Sequence, residues 1–368
     1  MKRLVLAGGG HAHVEVLRRF AAHAPPDVEL VLVSPHPHTP YSGMLPGLVA
    51  GRYAWADAHI DLDALAGAAR ARFLRTTVTA VDPAARTIRL DDGRVVGCDV
   101  LSLDTGSVPP RGTIRGADTF GIAVKPVDRF LAAWSDILAE SPARTRRIAV
   151  VGGGAGGVEI ALAMDARLRR LGRGVNVMLV TGPDGLLPGH AGGVRKYIEA
   201  ACFRRGVQLL RGARVTACDA EGLVLADGAR VVADWIVWTT GAAAPPWIAA
   251  SGLATDAEGF VAVDAYLRST SHPAVFAAGD IASMVAAPRP KSGVYAVRQG
   301  PRLAENLRRV LAGQALRSYA PQSRTLALLA TGDGRAIASW GRIAVAGKWV
   351  WRWKDRIDRG FMRRYVVG

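Results

Sequence analysis

Short apolar runs and amphipathic stretches alternate along the chain, and the alternation occurs twice in the same order. In the first half, residues 4–7 read as a buried strand, 13–23 as a helix and 28–33 as a second strand. A Pro- and His-rich loop follows, then strands near 76–81, 87–90 and 95–96, with Asp92-Gly93 as the hairpin turn between the last two. A strand at 100–103 ends in Asp104-Thr105-Gly106. Residues 145–245 repeat this order: strand 148–151, helix 157–171, strand 175–180, helix 194–205, strand 207–210, a hairpin tipped by Asp227-Gly228, and strand 235–238 ending in Thr239-Thr240-Gly241. Uninterrupted apolar runs suit parallel sheets covered on both faces. The repeat therefore predicts an α/β chain of two related βαβ domains, the second inserted in the first, with right-handed crossovers. The pattern assigns 1–115 and 259–320 to the first domain, 116–258 to the second and 321–368 to a small terminal module with a Gly332-Asp333-Gly334 turn. Within 259–320, a strand runs into Gly279-Asp280, and Pro290-Lys291-Ser292-Gly293 precedes a helical pattern over 294–311.

Both repeats turn from first strand to first helix through glycines, Gly8-Gly9-Gly10-His11-Ala12-His13 and Gly152-Gly153-Gly154-Ala155-Gly156-Gly157. Such a turn lets backbone N–H groups and the helix dipole hold a diphosphate. Two of them, one domain apart, imply two dinucleotides face to face and electron transfer between them.

Composition narrows the class. Half of the 368 residues are hydrophobic, enough for two ordinary cores. No apolar run reaches the roughly 18–20 residues of a membrane-spanning helix, which points to a soluble or peripheral protein. The start, Met1-Lys2-Arg3 and a short apolar run, is cut off at Gly8 and reads as a first strand, not a leader. Cys98, Cys202 and Cys218 form no CxxC or CxxxxC pair, which argues against a disulfide framework, a zinc site and a redox-active disulfide, and fits a reducing cytoplasm. The net charge of +16 rests on 47 basic residues, of which only six are lysine. An Arg excess of that kind also follows from genome composition, but the charge is uneven. Over residues 335–365 nine Lys or Arg side chains face only Asp355 and Asp358. No nucleic-acid-binding motif accompanies them.

The glycine turns, the strand ends Thr105-Gly106 and Thr240-Gly241, and Ala278-Gly279-Asp280 resemble the pyridine nucleotide–disulfide oxidoreductases, flavoproteins with two Rossmann-like domains. Within that superfamily the chain looks most like type II NADH dehydrogenases, and more so like the group found alone or fused ahead of selenide, water dikinase. Residues 8–14 (GGGHAHV), 40–47 (PYSGMLPG), 291–301 (KSGVYAVRQGP) and 351–365 (WRWKDRIDRGFMRRY) carry that likeness. It implies FAD on the first turn, with Gly8 and Gly10 at the turn and His13 where a third glycine is usual. His11 and His13 admit three roles: beside the ligand, packed in the core, or a metal pair with His36 and His38 nearby, which no Cys or carboxylate completes. Ser34 stands where an acid would hold the adenosine ribose. Asp280, after Gly279, would meet the ribityl hydroxyls; its alternative is a helix N-cap. Pro40 and Tyr41 would line one flavin face, and a helix starting at Gly293 would aim its N-terminus at the flavin, with Lys291 as a catalytic candidate or merely an exposed lysine.

The same likeness implies a nicotinamide dinucleotide on Gly152, Gly154 and Gly157. Glu159 would then lie near the nicotinamide–flavin contact, or else be a first-turn acid favoured by the helix dipole. The selectivity position, Thr181, leaves NADH and NADPH equally open, and Thr105, Gly106 and Gly241 would border the dinucleotides. With no cysteine pair at hand, the expected reaction passes hydride from nicotinamide to FAD and electrons on to a quinone-like acceptor. Residues 335–365 interleave Trp and Arg, as in segments bound to an anionic membrane surface, or pack on the flavin domain. The expected location is cytoplasmic, peripheral at the inner face of the cell membrane, with a homodimer compatible. A flavin-bearing redox sensor or relay, and a selenium-linked oxidoreductase, are the alternatives.

Overall fold

Lys2–Ala7 is the central strand of a five-stranded parallel sheet, in the order Val275–Ala277, Val100–Leu103, Lys2–Ala7, Val28–Val33, Arg72–Leu74. These relations come from a computed structural model that describes residues 1–110, 114–140 and 144–367. A second parallel sheet, Gly121–Ala123, Trp235–Trp238, Arg146–Val151, Val175–Val180, Gln208–Leu210, lies wholly between two strands of the first in sequence. The central strands of both are apolar to within a residue or two of their ends because both faces are covered, in the second sheet by helices on one side and by antiparallel strands on the other. Each domain carries a three-stranded antiparallel meander, Val78–Asp82, Thr87–Leu90 and Val95–Gly97 in the first, Val215–Asp219, Gly222–Leu225 and Arg230–Val232 in the second.

Register decides where the chemistry sits. Ala7 pairs with Val33 and with Leu103, and Leu103 pairs with Ala277, so Gly8, Ser34, Asp104 and Ala278-Gly279 all leave one edge of the sheet. Val151 pairs with Val180 and Trp238, and Trp238 with Ala123, so Gly152, Thr181, Thr239 and Val124-Lys125 leave the matching edge of the second. Crevices outside the carboxyl ends of strands, where the strand order reverses, are where such sheets bind ligands.

Three expectations need revision. The helices after the glycine turns begin two residues earlier than their apolar periodicity suggests, as His11–Ala22 and Ala155–Arg170, because extended Gly10 and Gly154 serve directly as N-caps. The second domain ends well before residue 258: Ile248 and Leu253 are buried in the first domain's core. The chain crosses between domains on two antiparallel segments bridged at Val108 and Ala243. The terminal module, finally, is not an appendage of one domain. Its sheet, Ala327–Ala330, Ala336–Trp340 and Ile343–Gly347, sends Leu329 and Ile337 into the second core. Its helix Lys348–Met362 and the turn after it send Phe361 and Tyr365 into the first.

Candidate functional site

At the first turn Gly8 adopts φ +101, and a Cβ there would lie 2.3 Å from the Asp104 carbonyl oxygen, so only glycine fits. The helix His11–Ala22 has no cap from its own neighbours. Asp104 serves instead, its Oδ2 accepting from the amides of Ala12 (2.9 Å) and His13 (3.1 Å). A Cβ on Gly10 would lie 2.3 Å from the same carboxyl. Asp104 is 3% exposed. Burial, with Asp280 adding a like charge, pushes its carboxyl up to about 7, against the two amide bonds.

His13 is a core residue, not a ligand. Its Nδ1 donates to Gly8 O (2.7 Å) and its Nε2 accepts from the Ser102 hydroxyl (2.8 Å), so a bonded ring stands where a third glycine is usual. Gly8 O can only accept, which fixes the tautomer. Burial pushes both His11 and His13 down to about 4. His11 differs from its neighbour in that its buried Nε2 has no partner among the described residues. Its ring packs edge-on against Tyr41 (centroids 5.5 Å apart), and Tyr41 stacks on Phe361 at 4.3 Å. Ser34 is buried, with its Oγ 3.0 Å from where a Gly9 Cβ would be.

Asp280 lies inside a 3-10 turn and does not cap the long helix Gly293–Leu311, whose N-cap is Ser292. It reaches across to Lys125, Nζ to Oδ2 2.6 Å, and so joins the facing edges of the two sheets. Lys125 was not among the expected residues. Its position became meaningful only once Gly121–Ala123 was seen to be an edge strand of the second sheet. Lys291, expected as a catalytic candidate or an exposed lysine, is tied to its own neighbourhood. Its ammonium donates to Ala282 O (2.6 Å) and rests on the Phe260 ring at 3.7 Å, which pins the loop before the long helix. Burial lowers its pKa. Gly293 meets the 40–47 loop, since a Cβ there would be 2.6 Å from Ser42 Oγ. Pro40 ends the short strand His38–Pro40 that anchors this loop on His59–Asp61.

The second turn is built to a tighter standard. Gly152 has φ +133, and a Gly157 Cβ would lie 1.9 Å from Gly152 O, so helix and turn are in backbone contact. Gly154 and Gly156 are exposed with open space above them. Thr181, expected at the selectivity position, is fully buried with its hydroxyl turned to Leu210 O (3.5 Å), and offers no group to a ligand. Thr105 and Gly106 (φ +75) lead into the interdomain crossing, as does Gly241 (φ +61), which sits beside Pro110.

Glu159 is past the first turn of its helix, so the dipole reading does not apply. Its Oε1 accepts from the Ala330 amide (2.7 Å) in the terminal sheet. Burial pushes it up to about 7, with Lys354 opposing and Asp358 assisting. Lys354 and Asp358 form a buried pair at 2.7 Å, and Lys354 also donates to Gly43 O (2.7 Å). Asp358 is raised by burial, and the Tyr41 hydroxyl faces it. The four sequence segments 8–14, 40–47, 291–301 and 351–365 thus converge on one place through His11, Tyr41, Gly293 and Phe361. The charge pair was legible only as part of a motif, because two charges four apart on a helix normally face water.

The residues present suit a dinucleotide at each turn: glycines that a side chain would jam, helix N-termini, and a buried His11 nitrogen left without a partner. The three cysteines are unpaired and buried far apart in sequence, with burial raising each thiol.

Residues 2–300 match the family model for pyridine nucleotide-disulphide oxidoreductases, and the chain belongs to that family. It is 24% identical to the NADH dehydrogenase-like protein YutJ of Bacillus subtilis over 89% of both chains. It is 31% identical to the NADH dehydrogenase-like protein Rv1812c of Mycobacterium tuberculosis, over 61% of this chain and 58% of that one. Among solved structures, NDH2 from Plasmodium falciparum in complex with NADH superposes with a TM-score of 0.82 at 14% identity, covering 98% of this chain and 97% of that one. The sulfide:quinone oxidoreductase of Aquifex aeolicus superposes with a TM-score of 0.83 at 18% identity, over 99% and 91% of the two chains. Members of this family in general bind FAD and NAD(P)H.

Proposed function

We propose that this chain is an NAD(P)H dehydrogenase that binds FAD on Gly8–Gly10 and a nicotinamide dinucleotide on Gly152, Gly154 and Gly157, and delivers electrons to a quinone-like acceptor without a disulfide. The observation that carries this is that the strand edges from which the two glycine turns leave are joined by Lys125 and Asp280. When bound, FAD would accept a hydride and release two electrons; that chemistry belongs to the cofactors. The chain's part is to align and to exclude water. Backbone amides at the two turns would hold diphosphates, Ser34 would meet the adenosine ribose and Asp280, still paired with Lys125, the ribityl chain. The N-terminus of Gly293–Leu311 stabilises negative charge gathered near it. Tyr41, stacked on Phe361, closes the apolar side. Glu159, which burial holds neutral up to about pH 7, is a proton reserve where the second domain meets the terminal sheet.

Among the described residues no helix is long and apolar enough to cross a membrane. The outer face of the terminal module nevertheless exposes Trp340, Ile343, Trp349, Trp353 and Ile357, with Arg342, Arg352 and Arg356 around them. That pattern suits the headgroup region of an anionic bilayer, where a quinone is to be met. Spectra taken before and after anaerobic NADH or NADPH addition test the core reading, and steady-state turnover with menadione or ubiquinone tests the acceptor. A yellow protein that bleaches and turns over supports it. A single reduction that then stalls would favour a sensor, and colourless protein that takes up no FAD would remove the reading.

A further inference from the structure

The first glycine turn has a feature that the second lacks: a carboxyl group already occupies part of its anion cradle. The first four amides of a helix have no partner within it. Of those at Gly10, His11, Ala12 and His13, Asp104 takes the last two. Its other oxygen, Oδ1, comes within 2.3 Å of where a Gly279 Cβ would lie, so the carboxyl spans the space between the turn and the Gly279–Ile281 segment. At the second turn the corresponding space above Gly154 and Gly156 is open.

A diphosphate and an ionised Asp104 would be like charges in a buried cleft. The elements packed around Asp104 offer it little positive charge. The first helix brings His11 and His13, both held neutral by burial, and Glu15, already bound to Arg18 and Arg19. The 3-10 turn brings Asp280, another acid. The long helix brings Gln299, whose Oε1 accepts from the Gly279 amide. Lys125, at the edge of the second domain, is committed to Asp280. The buried His11 Nε2, without a partner, marks the same cleft as one that awaits a polar ligand.

We propose that Asp104 binds the flavin diphosphate as a neutral acid: it keeps its proton in the complex, donates it in a hydrogen bond to a phosphate oxygen, and thereby makes FAD binding take up a proton from solvent. The proposal rests on the reading of this turn as the FAD site. It converts Asp104 from a helix cap into a determinant of cofactor affinity. Because burial has already raised this carboxyl to about 7, the linkage falls in the physiological range. The diphosphate itself stays ionised throughout that range.

Full-length protein stripped of flavin is titrated with FAD from pH 6 to 9 by quenching of flavin fluorescence. Calorimetry at pH 8 in two buffers of different ionisation enthalpy counts protons. The Kd should be flat below about pH 7 and rise by up to about tenfold per unit above it, with about one proton taken up per FAD at pH 8. Asp104→Asn, which keeps a donor and an acceptor, should bind with a flat Kd and no proton uptake, whereas Asp280→Asn should keep the slope. If D104N does not fold, the wild-type proton count decides alone. Tight FAD binding with no slope and no proton uptake overturns this inference and leaves the FAD reading intact, as does a slope lost in D280N and kept in D104N. Failure to bind FAD at every pH overturns the FAD reading itself.

Discussion

Glu159 and Asp104 are acids that burial holds well above their ordinary values, and this has a consequence for stability with a definite sign. As pH climbs from about 4 to about 7, the unfolded chain releases these protons first while the folded chain retains them. The folded apo-protein therefore loses stability across that window and nothing further above it, by roughly 3–4 kcal/mol per group at most. Urea unfolding of the apo-protein from pH 4 to 8 should show this loss relative to the E159Q/D104N double variant. The Lys354–Asp358 pair behaves differently. Breaking a buried pair strands a charge, so K354M should cost about 3–5 kcal/mol, and K354M/D358L should recover most of it. A K354M variant as stable as wild type in denaturant titration would show that water reaches the pair. The two glycine turns were legible as strand-to-helix turns because they act through local backbone. Asp104 stood in plain view at a strand end, but its task depends on Ala7 and Leu103 being paired, which one sequence does not display.

Helix, turn and strand meet under different rules at the two glycine turns. In the second, Gly157 is in backbone contact with Gly152; in the first, a bonded His13 ring fills the matching place. G157A should therefore push the helix Ala155–Arg170 off its turn. The expected result is normal flavin content with NADH-driven flavin reduction slowed at least about tenfold, equivalent to 1.4 kcal/mol or more of lost transition-state stabilisation, as read by stopped-flow absorbance. Flavin reduction at the wild-type rate in G157A would mean that the nicotinamide dinucleotide binds elsewhere. The strands and helices themselves were largely legible, since strands buried on both faces are apolar throughout and amphipathic helices repeat at their own period. The terminal helix was legible as amphipathic, but its inner face was not. Val350, Lys354, Asp358 and Phe361 point inward, and two of those four are charged.

At the scale of the whole molecule, the terminal module ties both domains together and leaves an aromatic, basic face outside. Liposomes containing anionic lipid should co-sediment the intact chain, and the triple variant W340S/W349S/W353S should stay in the supernatant with its visible spectrum unchanged. Equal sedimentation of both would leave the exposed aromatics without that role. The division into domains followed from the repeat, yet the boundary near Ala243 did not, because Ile248 and Leu253 look the same in sequence whichever core they enter.

Tyr365 Oη donates to Glu15 (3.2 Å) on the very first helix, and Phe361 covers Tyr41. Residues 361–365 thus brace the helix that opens from the first glycine turn. Removing them should loosen that helix and lower the flavin content of the purified protein, as read from its visible spectrum.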